Sequence, residues 1–106
     1  MKTIYKYEIP IQDHFTLELP RNAEILTVQT QKVKVEELYE KHERPFIWAL
    51  VDIDSNKTMI LEKRYFRVSG TGHDLTEDYC KIKEYIGTFQ IKQHDLVFHL
   101  FELKGK

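Results

Sequence analysis

The chain has 106 residues, of which 42% are hydrophobic and 31% are charged. This composition supplies one domain with one core, whereas two domains would each fall near the size at which a single core fails to offset chain entropy. Lys and Arg number 16 and Asp and Glu number 17, a formal net charge of -1, so no overall positive field favours binding to nucleic acid or anionic lipid.

Cysteine content and hydropathy predict a cytoplasmic domain that does not enter the membrane. Cys80 is the single cysteine, so it can form no disulfide within the chain, and the N-terminal residues lack the pattern of a signal peptide. No apolar run approaches the roughly 20 residues that cross a bilayer. We therefore expect residues 1–106 to form one cytoplasmic unit.

Alternation of apolar and polar residues predicts three strands in the first third of the chain. Tyr5, Tyr7 and Ile9 share one face of a strand over residues 3–9. Pro10 ends this strand because proline cannot donate to a ladder, and residues 15–19 repeat the alternating pattern. A turn at residues 21–22 then leads into a third strand over residues 24–35.

The spacing changes at residues 36–44, where the pattern predicts a short surface helix. Apolar residues recur there at helical intervals. Glu37 with Lys41 and Glu40 with Arg44 are acid-before-base pairs four residues apart, the orientation that supports a helix. Pro45 disfavours helical geometry at the residue before it and would end the helix.

Residues 46–53 are apolar on both faces, which predicts a central strand covered on both sides. The polar residues 54–57 connect it to a second strand over residues 58–69, and together they predict a hairpin. Phe66 and Val68 share one face of the second strand, with Tyr65 and Arg67 on the other.

The last third of the chain predicts a loop followed by another hairpin. Gly70 and Gly72 indicate a tight, exposed loop over residues 70–74, because glycine permits backbone angles that other residues resist. Residues 75–84 fit a helical turn or a strand. Residues 85–91 and 96–103 predict two strands joined by a hairpin loop at residues 92–95.

About seven short strands, with one or two short helices, predict a mainly β domain. A β-sandwich and a small distorted barrel both satisfy this pattern.

Five blocks of sequence resemble a family of short uncharacterised proteins from bacteriophages and prophages. The blocks are MKTIYKYEIP at residues 1–10, FIWALV at 46–51, GTGH at 70–73, YIGTF at 85–89 and LVFH at 96–99. That family is a domain of unknown function, and it transfers no catalytic residues. The charged segment 36–44 and Asp74 depart from its pattern. The resemblance implies a phage-encoded accessory protein, a class that commonly binds host components, including those of antiviral defence.

The loop Gly70-Thr71-Gly72-His73 is the first candidate binding site. Successive backbone N–H groups there would cradle an anion, with Arg67 or Arg64 adding charge if the ligand were a nucleotide or phosphate. The block lacks the pattern of a dinucleotide fingerprint or a phosphate-binding loop, and a simple strand-ending turn explains it more economically.

Aromatic residues provide the second set of candidates. Trp48 would anchor a ligand or partner, although its place in the most apolar strand favours core packing. A semi-exposed aromatic surface, suited to pairing subunits or holding a base, is expected from four tyrosines: Tyr5, Tyr7, Tyr65 and Tyr85.

No pattern points to catalysis, a metal or a cofactor. The five histidines lack metal-ligand spacing, and the carboxylates cannot be assembled into an acid–base pair from spacing alone. Cys80 has no local nucleophile signature, and free cysteines are usually small buried hydrophobes. We therefore expect a protein that is not an enzyme.

The leading hypothesis is a non-enzymatic phage accessory protein that blocks or sequesters a host factor, with counter-defence as one such role. One alternative is a sponge for a nucleotide-like signal, with a pocket formed by Arg67, the loop 70–73 and Trp48. Another is a virion structural or assembly protein whose strand edges pair between copies as a homo-oligomer. Membrane and nucleic-acid partners are disfavoured.

Overall fold

The computed structural model describes residues 1–34, 41–53 and 59–105. Within them the alternating segments form seven strands, β1 to β7 in chain order, and two single-turn 3-10 helices. The strands are β1 (Lys2–Glu8), β2 (His14–Pro20), β3 (Glu24–Lys34), β4 (Lys41–Asp52), β5 (Leu61–Gly70), β6 (Ile82–Ile91) and β7 (Leu96–Leu103). The 3-10 helices span Tyr79–Lys81 and Lys92–His94.

The strands form two antiparallel sheets that pack face to face. Sheet A has the order β1-β4-β3, and sheet B has the order β2-β5-β7-β6. Over the residues described, the two sheets do not close into a barrel. The predicted mainly β fold is therefore confirmed, in its sandwich form. No helix in the described ranges is long and apolar enough to cross a membrane.

Alternate side chains of both sheets point inward and form one core. Ile47 and Ala49 of sheet A and Leu100 of sheet B are fully buried, as expected for strands that hide one face against a second layer. The core cluster consists of Ile9, Phe15, Leu19, Ala23, Val28, Ile47, Ala49, Val51, Phe66, Val68, Phe89, Ile91 and Leu100.

The helix predicted over residues 36–44 is wrong at residues 41–44, which belong to β4. Residues 36–40 lie outside the described ranges. In β4, Arg44 donates to Glu8 at 3.3 Å, and Glu43 accepts the backbone N–H of Gln93 at 2.7 Å. Pairing of residues 41–44 with β3 outweighs the weak helical preference of the segment.

Pro45 lies inside β4, opposite Ile9, the first residue after β1. Its carbonyl accepts the N–H of Ile9 at 3.0 Å, so its nitrogen faces the same side, toward β1. That strand ends at Glu8, which is paired with Phe46. The bond that proline cannot donate is therefore lost only where the pairing with β1 ends, a position that proline tolerates in a sheet.

The hairpin predicted from residues 46–53 and 58–69 is also wrong. β4 pairs with β1 on one edge and β3 on the other, whereas β5 lies in sheet B between β2 and β7. Both edges of β4 are therefore already occupied. The connecting residues 54–58 lie outside the described ranges.

Other local predictions are confirmed. The turn at residues 21–22 has Asn22 in the left-handed region, at φ 64°, and residues 92–95 join β6 to β7. Residues 75–84, left open by the sequence, contain the 3-10 helix Tyr79–Lys81, followed by β6 from Ile82.

Candidate functional site

The turn at residues 70–73 uses its backbone donors internally. The N–H of His73 donates to the carbonyl of Gly70 at 3.1 Å, and the N–H of Thr71 donates to the carbonyl of Val97 at 3.3 Å. Gly72 has φ +85°, where a side chain would be strained, and the His73 ring lies over Gly70. Two of the N–H groups expected to cradle an anion are therefore already bonded.

Arg67 anchors the segment that follows this turn. It points to the outer face of sheet B, yet its side chain is largely buried. It donates to the carbonyl of Asp74 at 3.3 Å and forms ion pairs with Asp78 at 3.5 Å and Asp13 at 4.0 Å. Its charge is thus matched by two carboxylates. The Asp74 side chain accepts hydrogen bonds from Thr76, which lower its pKa, with a smaller contribution from the Arg67 charge.

Arg64, the other cation predicted near the turn, points to the opposite face of β5. It forms a two-point ion pair with Glu102, whose second contact is 2.9 Å long, and donates to the carbonyl of Ala23 at 2.8 Å. The hydrogen bond to Glu102 is the largest cause of the raised pKa of Arg64. Arg64 therefore binds groups in the interior of the sandwich and does not contribute charge to the turn.

A network of hydrogen-bonded side chains connects the turn to β6 and β7. The sequence did not reveal this network. The Nε2 atom of His99 lies 2.7 Å from the Thr71 hydroxyl, and its Nδ1 atom lies 3.0 Å from the Thr88 hydroxyl. Thr88 also bonds to Tyr85. Thr88 and His99 are register partners on adjacent strands. Their contact could therefore be predicted only if the pairing of β6 with β7 and its register were known.

Trp48 lies on the outer face of sheet A, opposite to Ile47 and Ala49. The core cluster contains these two neighbours and not Trp48, which is partly exposed. Packing inside the core, the favoured interpretation of its strand, is therefore wrong for Trp48. Because the turn 70–73 belongs to sheet B, a single chain does not bring Trp48 and the turn into one pocket.

Four other apolar residues lie on the same outer face of sheet A as this tryptophan, and we call the five together the Trp48 face: Ile4, Leu26, Phe46, Trp48 and Leu50. Ile4 is paired with Leu50. Leu26 is the extra residue of a β-bulge, so that it and Thr27 together oppose Trp48. Ile4 is 54% exposed and Leu26 is 44% exposed.

Polar groups border the Trp48 face and cover Phe46. The Lys6 ammonium lies 4.6 Å from the centre of the Phe46 ring and donates to Gln31 at 2.9 Å. Arg44 and Glu8 form the ion pair described above, beside the same ring. The result is an apolar centre with a charged border, a distribution typical of protein-binding surfaces.

The four tyrosines expected to form one aromatic surface are divided between the sheets. Tyr5 and Tyr7 point to the inner side of sheet A at its edge, opposite Ala49 and Ile47. Burial, followed by the nearby Tyr5, raises the pKa of Tyr7. Tyr65 and Tyr85 lie on sheet B. Cys80, expected to be buried, is exposed.

Comparison with known proteins identifies the family of this chain. Neither the curated proteins nor the solved structures contain a match. The family model described as "Domain of unknown function (DUF7352)" matches residues 1–106. The chain therefore belongs to the DUF7352 family, which spans its whole length.

Proposed function

We propose that this protein is a non-enzymatic accessory protein of phage type. It binds a host protein in the cytoplasm through the Trp48 face and thereby blocks or sequesters it. The resemblance to phage and prophage proteins supports the origin, and the surface chemistry of sheet A supports binding to a protein.

The observation that carries the proposal is the exposure of large aliphatic side chains next to a tryptophan. Fully burying an exposed leucine or isoleucine side chain is worth about 1.5–3 kcal/mol, so the half-exposed Ile4 and Leu26 each leave roughly half of this energy available to a partner. Tryptophan is enriched among the residues that dominate binding energy. The partner's complementary surface would be apolar at its centre, with polar groups facing Lys6 and Glu8.

The test compares two leucines of equal exposure on different sheets. Leu26 belongs to the Trp48 face, whereas Leu96, also 44% exposed, begins β7 in sheet B. The tagged wild type, Leu26→Lys and Leu96→Lys are used to capture proteins from host lysate, and captured proteins are quantified by mass spectrometry. We expect one host protein near stoichiometric yield with the wild type and Leu96→Lys, and about tenfold less with Leu26→Lys, since a buried charge opposes docking.

Two outcomes contradict the proposal. Capture that is equal for all three proteins would show that the Trp48 face is not the binding surface, and capture of nothing by the wild type would remove the host partner. Light scattering distinguishes a third outcome, in which the wild type is an oligomer that Leu26→Lys dissociates. That result would favour the assembly role, with a second copy covering the face.

A further inference from the structure

A groove crosses the outer face of sheet B, on the other side of the molecule from the Trp48 face. It consists of two adjoining cavities of about 410 Å³ and 530 Å³, both lined by His14, Tyr65 and Leu103. Pro10 and Gln12 border one cavity, and the other is bordered by Glu77, Asp78, Cys80 and Lys81. We call it the His14 groove. Each cavity falls within the size range of small-molecule sites, about 300–1,000 Å³.

His14 is held in the middle of this groove by a buried carboxylate. Its Nε2 atom lies 2.6 Å from the Oδ2 atom of Asp78, and the same oxygen lies 3.5 Å from the Nε atom of Arg67. Asp78 is only 5% exposed, whereas the His14 side chain is 51% exposed. Arg67 therefore balances the charge of Asp78, and Asp78 fixes the orientation of the imidazole. In the described ranges, the other ring nitrogen of His14 makes no hydrogen bond.

The lining of the groove combines a flat apolar floor with positive charge at one end. Tyr65 and Leu103 are register partners on β5 and β7, so their side chains lie next to each other. Lys81 and Lys104 line the cavity beyond them, and their backbones are joined by a 2.8 Å hydrogen bond. Of the two acids at this end, Asp78 is already paired with Arg67 and His14, which leaves Glu77 as the one remaining carboxylate beside the two lysines in this lining.

From this geometry we propose that the His14 groove binds a small anion that carries a planar ring. The ring packs on Tyr65 and Leu103, the anionic group faces Lys81 and Lys104, and the unbonded ring nitrogen of His14 meets a polar atom of the ligand. Both mononucleotides and aromatic carboxylates have this chemistry. The site is independent of the Trp48 face, and it differs from the turn at residues 70–73, where two of the backbone donors are already bonded.

The test is a titration followed by the backbone amide signals of the ¹⁵N-labelled protein. Adenosine monophosphate and 4-hydroxybenzoate serve as anions with a planar ring. Adenosine supplies a ring without the negative charge, and inorganic phosphate supplies the charge without a ring. We expect saturable shifts from the two anions, clustered at residues 14, 65, 77–81 and 103–105. Adenosine and phosphate should bind at least about tenfold more weakly, because each lacks one set of contacts.

Three variants assign the binding to the proposed residues. Lys104→Gln removes an exposed charge and should weaken anion binding about tenfold, whereas Lys34→Gln on β3 is the matched control and should leave it unchanged. Tyr65→Leu keeps an apolar floor without the ring and should weaken binding of both anions. The absence of saturable shifts with either anion would overturn the proposal. So would equal affinities of the wild type and Lys104→Gln, or shifts clustered on sheet A.

Discussion

At the scale of single residues, the pair Arg64 and Glu102 shows how much of this interior depends on one polar contact. Their side chains are 12% and 3% exposed, and Arg64 is further tied to the backbone of the loop before β3 through Ala23. Desolvation of two charges offsets most of their attraction, so the pair itself adds little net stability. Removing one member, however, leaves the other charge buried without its partner.

The first prediction follows from that asymmetry. Glu102→Ala should lower the free energy of unfolding by about 3–5 kcal/mol, since Arg64 loses its buried hydrogen-bonded carboxylate and keeps, among carboxylates, only the longer, more exposed contact with Glu62, at 3.7 Å. Glu8→Ala, which breaks the exposed pair with Arg44, is the control and should cost about 0–1 kcal/mol. Urea denaturation of both variants measures the difference. Equal costs for the two would show that burial of the ion pair does not decide its contribution.

Residue types were predictable here, but residue partners were not. The sequence marked Arg67 and Trp48 as notable, and both do lie on outward-facing positions. It did not reveal Asp78, which binds Arg67 and His14 from a segment ten or more residues away along the chain. An aspartate in a loop is common, so Asp78 does not stand out in the sequence. Its burial depends on where the loop folds back, which no local pattern encodes.

At the scale of elements, the alternation of apolar and polar residues predicts where the strands lie, because one face of each strand is buried. Six of the seven predicted strands overlap strands that begin within three residues of the expected start, and β4 begins five residues earlier than expected, inside the predicted helix. Alternation does not state which strand is the neighbour, so the hairpin of β4 with β5 was wrong. The pairing of β6 with β7 was found because a short loop joins two adjacent strands.

Glu43 connects β4 to the turn between β6 and β7, and this contact makes the free energy of unfolding depend on pH. From β4 it accepts the N–H of Gln93 at 2.7 Å and of Lys92 at 3.2 Å, in the turn between β6 and β7. The hydrogen bond from Gln93 is the main cause of a Glu43 pKa below its ordinary value of 4.5, aided by Lys92 and the charge of Lys32. Folding therefore favours the ionised carboxylate, and the ionised carboxylate stabilises the fold.

The second prediction concerns Glu43→Gln. The stability that the wild type gains from Glu43 is fully present above its ordinary pKa of 4.5 and is lost as pH falls through the lowered value in the fold. The difference in unfolding free energy between wild type and variant should hence be constant at neutral pH and shrink in acid. Urea titrations across this range measure it. Asp74, whose pKa is also lowered, is present in both proteins and cancels. A difference independent of pH would contradict the assignment.

At the scale of the whole molecule, one core supports the two surfaces proposed to bind ligands or partners. The Trp48 face lies outside sheet A, and the His14 groove lies outside sheet B. Val28 and Ile47 from one sheet pack in the same cluster as Phe66 and Leu100 from the other. Neither sheet can bury its inner face alone, so each surface depends on the presence of the opposite sheet. The two proposed sites thus lie on separate sheets, and we expect them to share one folding equilibrium.

The third prediction tests this shared equilibrium. The chain has one tryptophan and one cysteine, and they report on different sheets: Trp48 on sheet A, and an environment-sensitive dye on the exposed Cys80 on the segment before β6. Because the core is common, the urea transitions of both probes should coincide. Ile47→Ala, at a fully buried position, should cost about 2–5 kcal/mol and move both midpoints equally. If the Trp48 transition came first, or if the substitution moved it alone, sheet A would unfold separately and the common core would not govern stability.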